Sequence, residues 1–147
     1  MIRTAQSEPL AVTLKASGAT TTAVANAAGD AQDYSFRRAC FLLDVTATAG
    51  HAGDTLDVFV DVLGPDGATW LNAVHFTQIA GNSAAIQHYA ILDSTNTAAT
   101  TFNVSTDCAA GVTKPYLFGS RLRARWTMVD AGTVGSVTWS LKALIER

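Results

Sequence analysis

The chain has 147 residues, 48% of them hydrophobic and only 15% charged, with a formal net charge of −2 at pH 7. That length suits one domain with a proper core, and the slight acidic excess disfavours direct nucleic-acid binding, which leaves a basic footprint. No run of 18 apolar residues and no apolar stretch behind the N-terminus is present, so the expectation is a chain without membrane span or signal peptide, made and kept in a cytoplasm.

Residues 1–33 are dominated by Ala, Thr, Ser and Gly. Within them, residues 9–16 (PLAVTLKA) alternate Leu10, Val12 and Leu14 against Ala11, Thr13 and Lys15, the period of a strand. This part is expected to supply a first strand plus an arm or edge able to reach a neighbouring subunit, with residues 34–147 forming the main body of a single domain. Residues 38–48 (RACFLLDVTAT) place Ala39, Phe41, Leu43, Val45 and Ala47 on one face and start the other with Cys40 and Leu42, as a central strand would. Cys40 and Cys108 are expected to be free thiols, as reducing compartments favour.

The stretch DTLDVFVDVLGPDGATW alternates Leu56, Val58, Val60 and Val62 against Asp57, Phe59, Asp61 and Leu63. Gly64-Pro65-Asp66-Gly67 then offers a fixed φ, an Asp that can bond its own backbone, and glycines free to take positive φ. This predicts a hairpin whose return strand covers residues 69–79. Further strands are expected at residues 86–92, 101–105 and 121–129, the last burying Leu122, Ala124, Trp126 and Met128 and exposing Arg121, Arg123 and Arg125. A final strand over residues 136–145 buries Val137, Trp139, Leu141, Ala143 and Ile145. Seven to nine strands with no 3.6-residue pattern describe an all-β, antiparallel β-sandwich of jelly-roll or related Greek-key order. Leu56, Val58, Val60, Leu122, Trp126, Val137, Trp139 and Leu141 are expected to pack together between the two sheets.

No nucleophile elbow, phosphate loop, dinucleotide glycine set or zinc-protease motif is present, so neither catalytic residues nor a cofactor are assigned. His51, His75 and His88 lack the further ligands a metal site needs; His75 and His88 would face each other if a hairpin closed near Gly81-Asn82. Asp57 and Asp61 share a strand face roughly 13 Å apart, too far for a glycosidase pair. Arg121, Arg123 and Arg125 repel one another unless something offsets them. Two arrangements do so: an exposed ladder with Asp44, Asp57 or Asp61 on neighbouring strands, or contact with an acidic surface of a partner.

The block RACFLLDVTATAGHAGDTLDVFVDVLGPDGATWLNAVHFTQIAG, followed by RLRARWTM and an alternating last strand, resembles small structural proteins of the head and tail modules of tailed bacteriophages. The resemblance implies a non-enzymatic virion protein, most like a capsid decoration or cement protein on the surface of the assembled head. Its partners would be the major capsid protein or another virion protein and further copies of itself, often as a trimer. A head–tail or tail-associated protein would fit as well. Arg3, Leu10, Lys15, Arg121, Arg123 and Arg125 are the candidate interface residues. A carbohydrate-binding sandwich is the alternative of another class; it would use exposed aromatics, for which Trp70 and Tyr89 are the candidates.

Overall fold

The computed structural model describes residues 8–21, 23–95, 107–114, 119–132 and 135–147. Its strands are β1 (Leu10–Thr20), β2 (Val24–Ala28), β3 (Gln32–Asp33), β4 (Arg38–Ala49), β5 (Thr55–Leu63), β6 (Trp70–His75), β7 (Ile79–Ala80), β8 (Ile86–Asp93), β9 (Val112–Thr113), β10 (Arg121–Val129) and β11 (Ser136–Glu146). A four-stranded sheet runs β1-β11-β4-β8, and the second sheet runs β2-β10-β5-β6-β9, with β3 beside β10 and β7 beside β5. Every pairing is antiparallel. Setting aside β3, β7 and β9, two residues each, eight strands remain. Numbered afresh along the chain they lie 1-8-3-6 in one sheet and 2-7-4-5 in the other, which is the strand order of a jelly roll.

The core follows from the period-2 pattern. Phe41, Leu43 and Val45 of β4, Leu56, Val58, Val60 and Val62 of β5, Leu122 and Ala124 of β10, and Val137, Trp139, Leu141 and Ile145 of β11 are all buried in one cluster. Trp126 is a correction to the expected core: it is half-buried, packed edge-on against Trp139 with ring centroids 5.4 Å apart. Lys15 Nζ lies over both rings, 6.0 Å from the centroid of Trp126 and 4.2 Å from that of Trp139.

The β5–β6 hairpin forms at the expected turn. Gly64 N–H donates to the Thr69 carbonyl at 2.7 Å, Gly67 takes φ of 68°, and Asp66 Oδ1 accepts the N–H groups of Ala68 and Thr69. The return strand is shorter than expected. Its last paired residue is His75, the Phe76 N–H still donates to the Val58 carbonyl at 3.0 Å, and pairing with β5 resumes at Ile79–Ala80, opposite Leu56 and Thr55. No hairpin joins β6 to β8, because they belong to different sheets. The strand expected over residues 101–105 lies outside the described residues.

One end of the sandwich is tied together by the carboxylate of Asp54. It is buried and accepts N–H bonds from His51 and Ala131, each at 2.8 Å. Those two donors hold its carboxyl below the usual carboxylate range. Gly50, Gly81 and Gly135 crowd around it so closely that a Cβ on any of them would fall within 3 Å of an Asp54 atom. Three loops, those after β4, β7 and β10, thus converge on one side chain.

Candidate interaction surface

The outer faces of the two sheets are built from different chemistry. On the seven-stranded sheet, β10 places Arg123 opposite Asp61 and Arg125 opposite Phe59, and β6 places Asn72 opposite Asp61 from the other side. Asp61 therefore lies between donors on both flanking strands. Its Oδ2 accepts from Arg123 Nε and Nη2 at 3.2 Å each and from Arg125 Nε at 2.9 Å, and Asn72 Nδ2 reaches Oδ1 at 3.3 Å. The Arg123 guanidinium stacks on Trp70 at 4.2 Å and that of Arg125 on Phe59 at 4.0 Å. Such stacked, carboxylate-bound guanidinium groups are held in place from two sides.

This cluster is covered. The Asp61 side chain is 2% exposed, that of Arg125 11% and that of Arg123 24%. Part of the cover is the segment 107–114: Asp107 pairs with Arg125 at 2.7 Å, Cys108 N–H donates to Asn72 Oδ1, and Gly111 N–H donates to the His75 carbonyl. His75 joins the same seam, its Nδ1 2.8 Å from the Cys108 carbonyl and its Nε2 2.9 Å from Asp57 Oδ1. Around Asp61 the ladder is thus the chain's own, as one of the two sequence arrangements has it, but there it is largely buried, and only the Arg121 pair is exposed. Asp44, the third carboxylate considered for it, instead accepts from Gln87 on the other sheet.

The remaining candidate interface residues are dispersed. Arg121 pairs with Asp33 at 2.6 Å at the margin of the sheet, where both side chains are open to solvent. Lys15 sits in the bulged part of β1, donating from Nζ to the carbonyls of Ala16, Gly18 and Trp139 and lying 4.2 Å over the Trp139 ring. Burial there pushes its pKa down. Leu10 opens β1 opposite Ile145 and is exposed at the sheet edge. Arg3 lies outside the described residues. Trp70 is occupied by Arg123, which leaves Tyr89 as the exposed one of the two candidate aromatics. His75 and His88 line one shallow groove between the sheets.

The outer face of the four-stranded sheet carries no such cover among the described residues. Cross-strand register sets Leu144, Cys40 and Ile91 in one row and Lys142, Leu42 and Tyr89 in the next. Tyr89 is 65% exposed, Ile91 52% and Leu144 49%. The apolar island is bordered at one end by Arg38, which pairs with Asp93 at 3.3 Å and Glu146 at 3.7 Å. At the other end lie Asp44 and Gln87, with Ser140 beyond. An apolar island rimmed by polar and ionic groups is the usual composition of a contact surface. Sequence periodicity gives this face only as an irregular mixture, because its apolar residues come from three strands distant in the chain.

No protein-family model and no curated protein gives a significant match to this chain. Among solved structures, it is similar to a chain of "Structure of infectious bursal disease virus Gt strain" with a TM-score of 0.47 and 9% identity, over 96% of this chain and 34% of that one. A chain of "Structure of infectious bursal disease virus Gx strain" is similar with a TM-score of 0.46 and 12% identity, over 96% of this chain and 33% of that one. The chain therefore spans about a third of the length of the structures it matches.

Proposed function

We propose that this chain is a non-enzymatic virion structural protein that attaches to an assembled capsid shell and stabilises it. The observation that carries the reading is the combination of jelly-roll order with one bare apolar sheet face. Jelly rolls serve viral capsids and lectins alike, and fold alone assigns neither role. Two further features favour the virion role. The block that resembles phage structural proteins maps onto β4, β5 and β6, the heart of both sheets. A sugar site would want two or three exposed aromatics on one face, whereas Trp139 is buried, Trp126 packs on it and Trp70 lies under Arg123, which leaves Tyr89 alone of the two candidates.

Such a protein acts by binding without chemistry. A binder that recognises only the assembled geometry stabilises that geometry by mass action, and many equal copies make modest contacts effective. The segment ahead of β1 is the proposed shell contact, able to add to a neighbour's sheet edge, with Arg121, the most exposed of the three arginines of β10, as a further candidate. The test is co-sedimentation with empty, expanded phage heads. Saturable binding that raises the heads' resistance to heat supports the reading. Deleting residues 1–8 stops short of β1 and should weaken binding while leaving the fold intact; no binding by the full chain would refute shell attachment.

A further inference from the structure

β8 has an unusual edge. Among the described residues no strand pairs with its outer side, and its eight residues pair with β4 from Arg38↔Asp93 to Val45↔Ile86 without a single bulge. The other described edges are blunted. β1 carries two register shifts and Lys15, β2 carries a shift and Asn26 at φ 52°, and β9 is two residues long. Bulges, charges and short length are how proteins keep a sheet edge from pairing with another chain. β8, with the sequence IQHYAILD, contains no Lys, Arg, Pro or Gly. Its one carboxylate, Asp93, is at its end and already paired with Arg38.

The strand is also where exposed apolar bulk collects. Ile86, Tyr89 and Ile91 are three of the seven large hydrophobic residues that the described chain leaves exposed, so one short strand carries almost half of them. A regular, uncharged, apolar edge of this length is an aggregation hazard unless something pairs with it. A groove lined by His75, His88, Gly111 and Thr113 runs beside it.

We infer that β8 is covered by β8 of a second copy, the two strands running antiparallel about a two-fold axis at Ala90. The sequence of the strand is self-complementary in that register. Tyr89 falls opposite Ile91 of the second copy and Ile91 opposite Tyr89, so the aromatic–β-branched pair forms twice on the outer face. Asp93 meets Gln87 of the second copy and not the second copy's Asp93, so no like charges oppose. Isologous closure of this kind uses the edge once and leaves no open end for further growth. The two four-stranded sheets become one of eight strands, and their apolar islands become one surface. This inference takes a two-fold in place of the three-fold association that the resemblance implies. It requires no capsid shell, so it stands or falls apart from shell binding.

Sedimentation equilibrium on the full chain, alone in solution across the micromolar range, is the first test. The inference expects twice the chain mass; a monomer or a trimer would overturn it. The double variant Tyr89→Lys, Ile91→Lys should sediment as a monomer with an unchanged circular dichroism spectrum and melting profile, since both side chains already face solvent. A dimer that survives both lysines would refute the β8 contact. Ala90→Cys in a Cys40→Ser background gives an independent reading: oxidation should yield a disulfide-linked dimer through position 90, and failure to cross-link while the dimer persists would refute the register.

Discussion

Replacing Asp61 by Ala removes the carboxylate on which two guanidinium groups converge. In the native chain it accepts bonds from Arg123 Nε and Nη2, from Arg125 Nε and Nη2, and from Asn72 Nδ2. Arg125 keeps Asp107 and Asn26 as acceptors, whereas Arg123 has no other carboxylate in contact among the described residues. Breaking a buried pair by removing one partner costs about 3–5 kcal/mol, because the other charge stays buried without compensation. Arg123 is partly exposed and can recover some hydration, which puts the expected loss near the lower end, about 3 kcal/mol. For a domain of this size that corresponds to a fall in Tm of roughly 10 °C. Urea denaturation followed by tryptophan fluorescence reads the loss directly, since Trp70 stacks on Arg123 and reports on the same cluster. Substituting all three charges together, Asp61→Leu with Arg123→Met and Arg125→Met, should restore most of the stability, as replacing a buried ion cluster by apolar residues often does. A loss below about 1 kcal/mol for Asp61→Ala would refute the argument and return the ladder to the weak surface pairs that sequence alone allows.

Trp139→Ala should cost about 3–5 kcal/mol by opening a cavity between the sheets and freeing Lys15, measurable by the same denaturation curves. Asp54 has its carboxyl held below the ordinary value in the folded state, so the folded chain binds fewer protons than the unfolded one in that window. Its contribution is present in full above about pH 4 and is lost as the pH falls through the lowered value; Asp54→Asn should flatten the decline in Tm between neutral pH and pH 3. Burial pushes the Cys108 thiol up in pKa, while Cys40 lies half-exposed on the opposite side of the sandwich. A thiol reagent at neutral pH should therefore modify Cys40 first, with Cys108 reacting only as the protein unfolds.

The sandwich was legible because its strands alternate cleanly where they face the core. Leu56, Val58, Val60 and Val62 are buried as their period requires, and the Gly-Pro-Asp-Gly turn closes where turn chemistry puts it. The return strand is shorter than expected because Phe76 and Ile79 carry the apolar content of residues 69–79 to its end, and composition alone does not show that Thr77 and Gln78 leave the ladder between them. The burial of Phe59, Asp61 and Asn72 was invisible for a different reason. A loop far along the chain folds over them, and period-2 reasoning assigns the second face of a strand to solvent by default. The role of Asp54 was not legible either, since a carboxylate satisfied by two backbone N–H groups and enclosed by glycines carries no local signature.

The contrast between the two outer faces carries a consequence for how the protein meets its surroundings. Around Asp61 the covered polar groups receive partners, down to a backbone N–H from Cys108 for Asn72. The seven-stranded sheet thereby ends in a face whose hydrogen-bonding capacity is largely consumed within the chain. The four-stranded sheet is left in the reverse condition: Arg38, Asp93 and Glu146 pair at one end, Lys142 flanks the row of Leu42 and Tyr89, and Tyr89, Ile91 and Leu144 stand exposed. Apolar surface gains from being covered by any well-fitting partner, whereas the Arg–Asp cluster gains little from one that would have to compete with its existing contacts. The chemistry of both faces together therefore makes the four-stranded side the more favourable one for an apolar contact. The arginine strand, the most conspicuous charged feature of the sequence, serves that outcome by closing its own face.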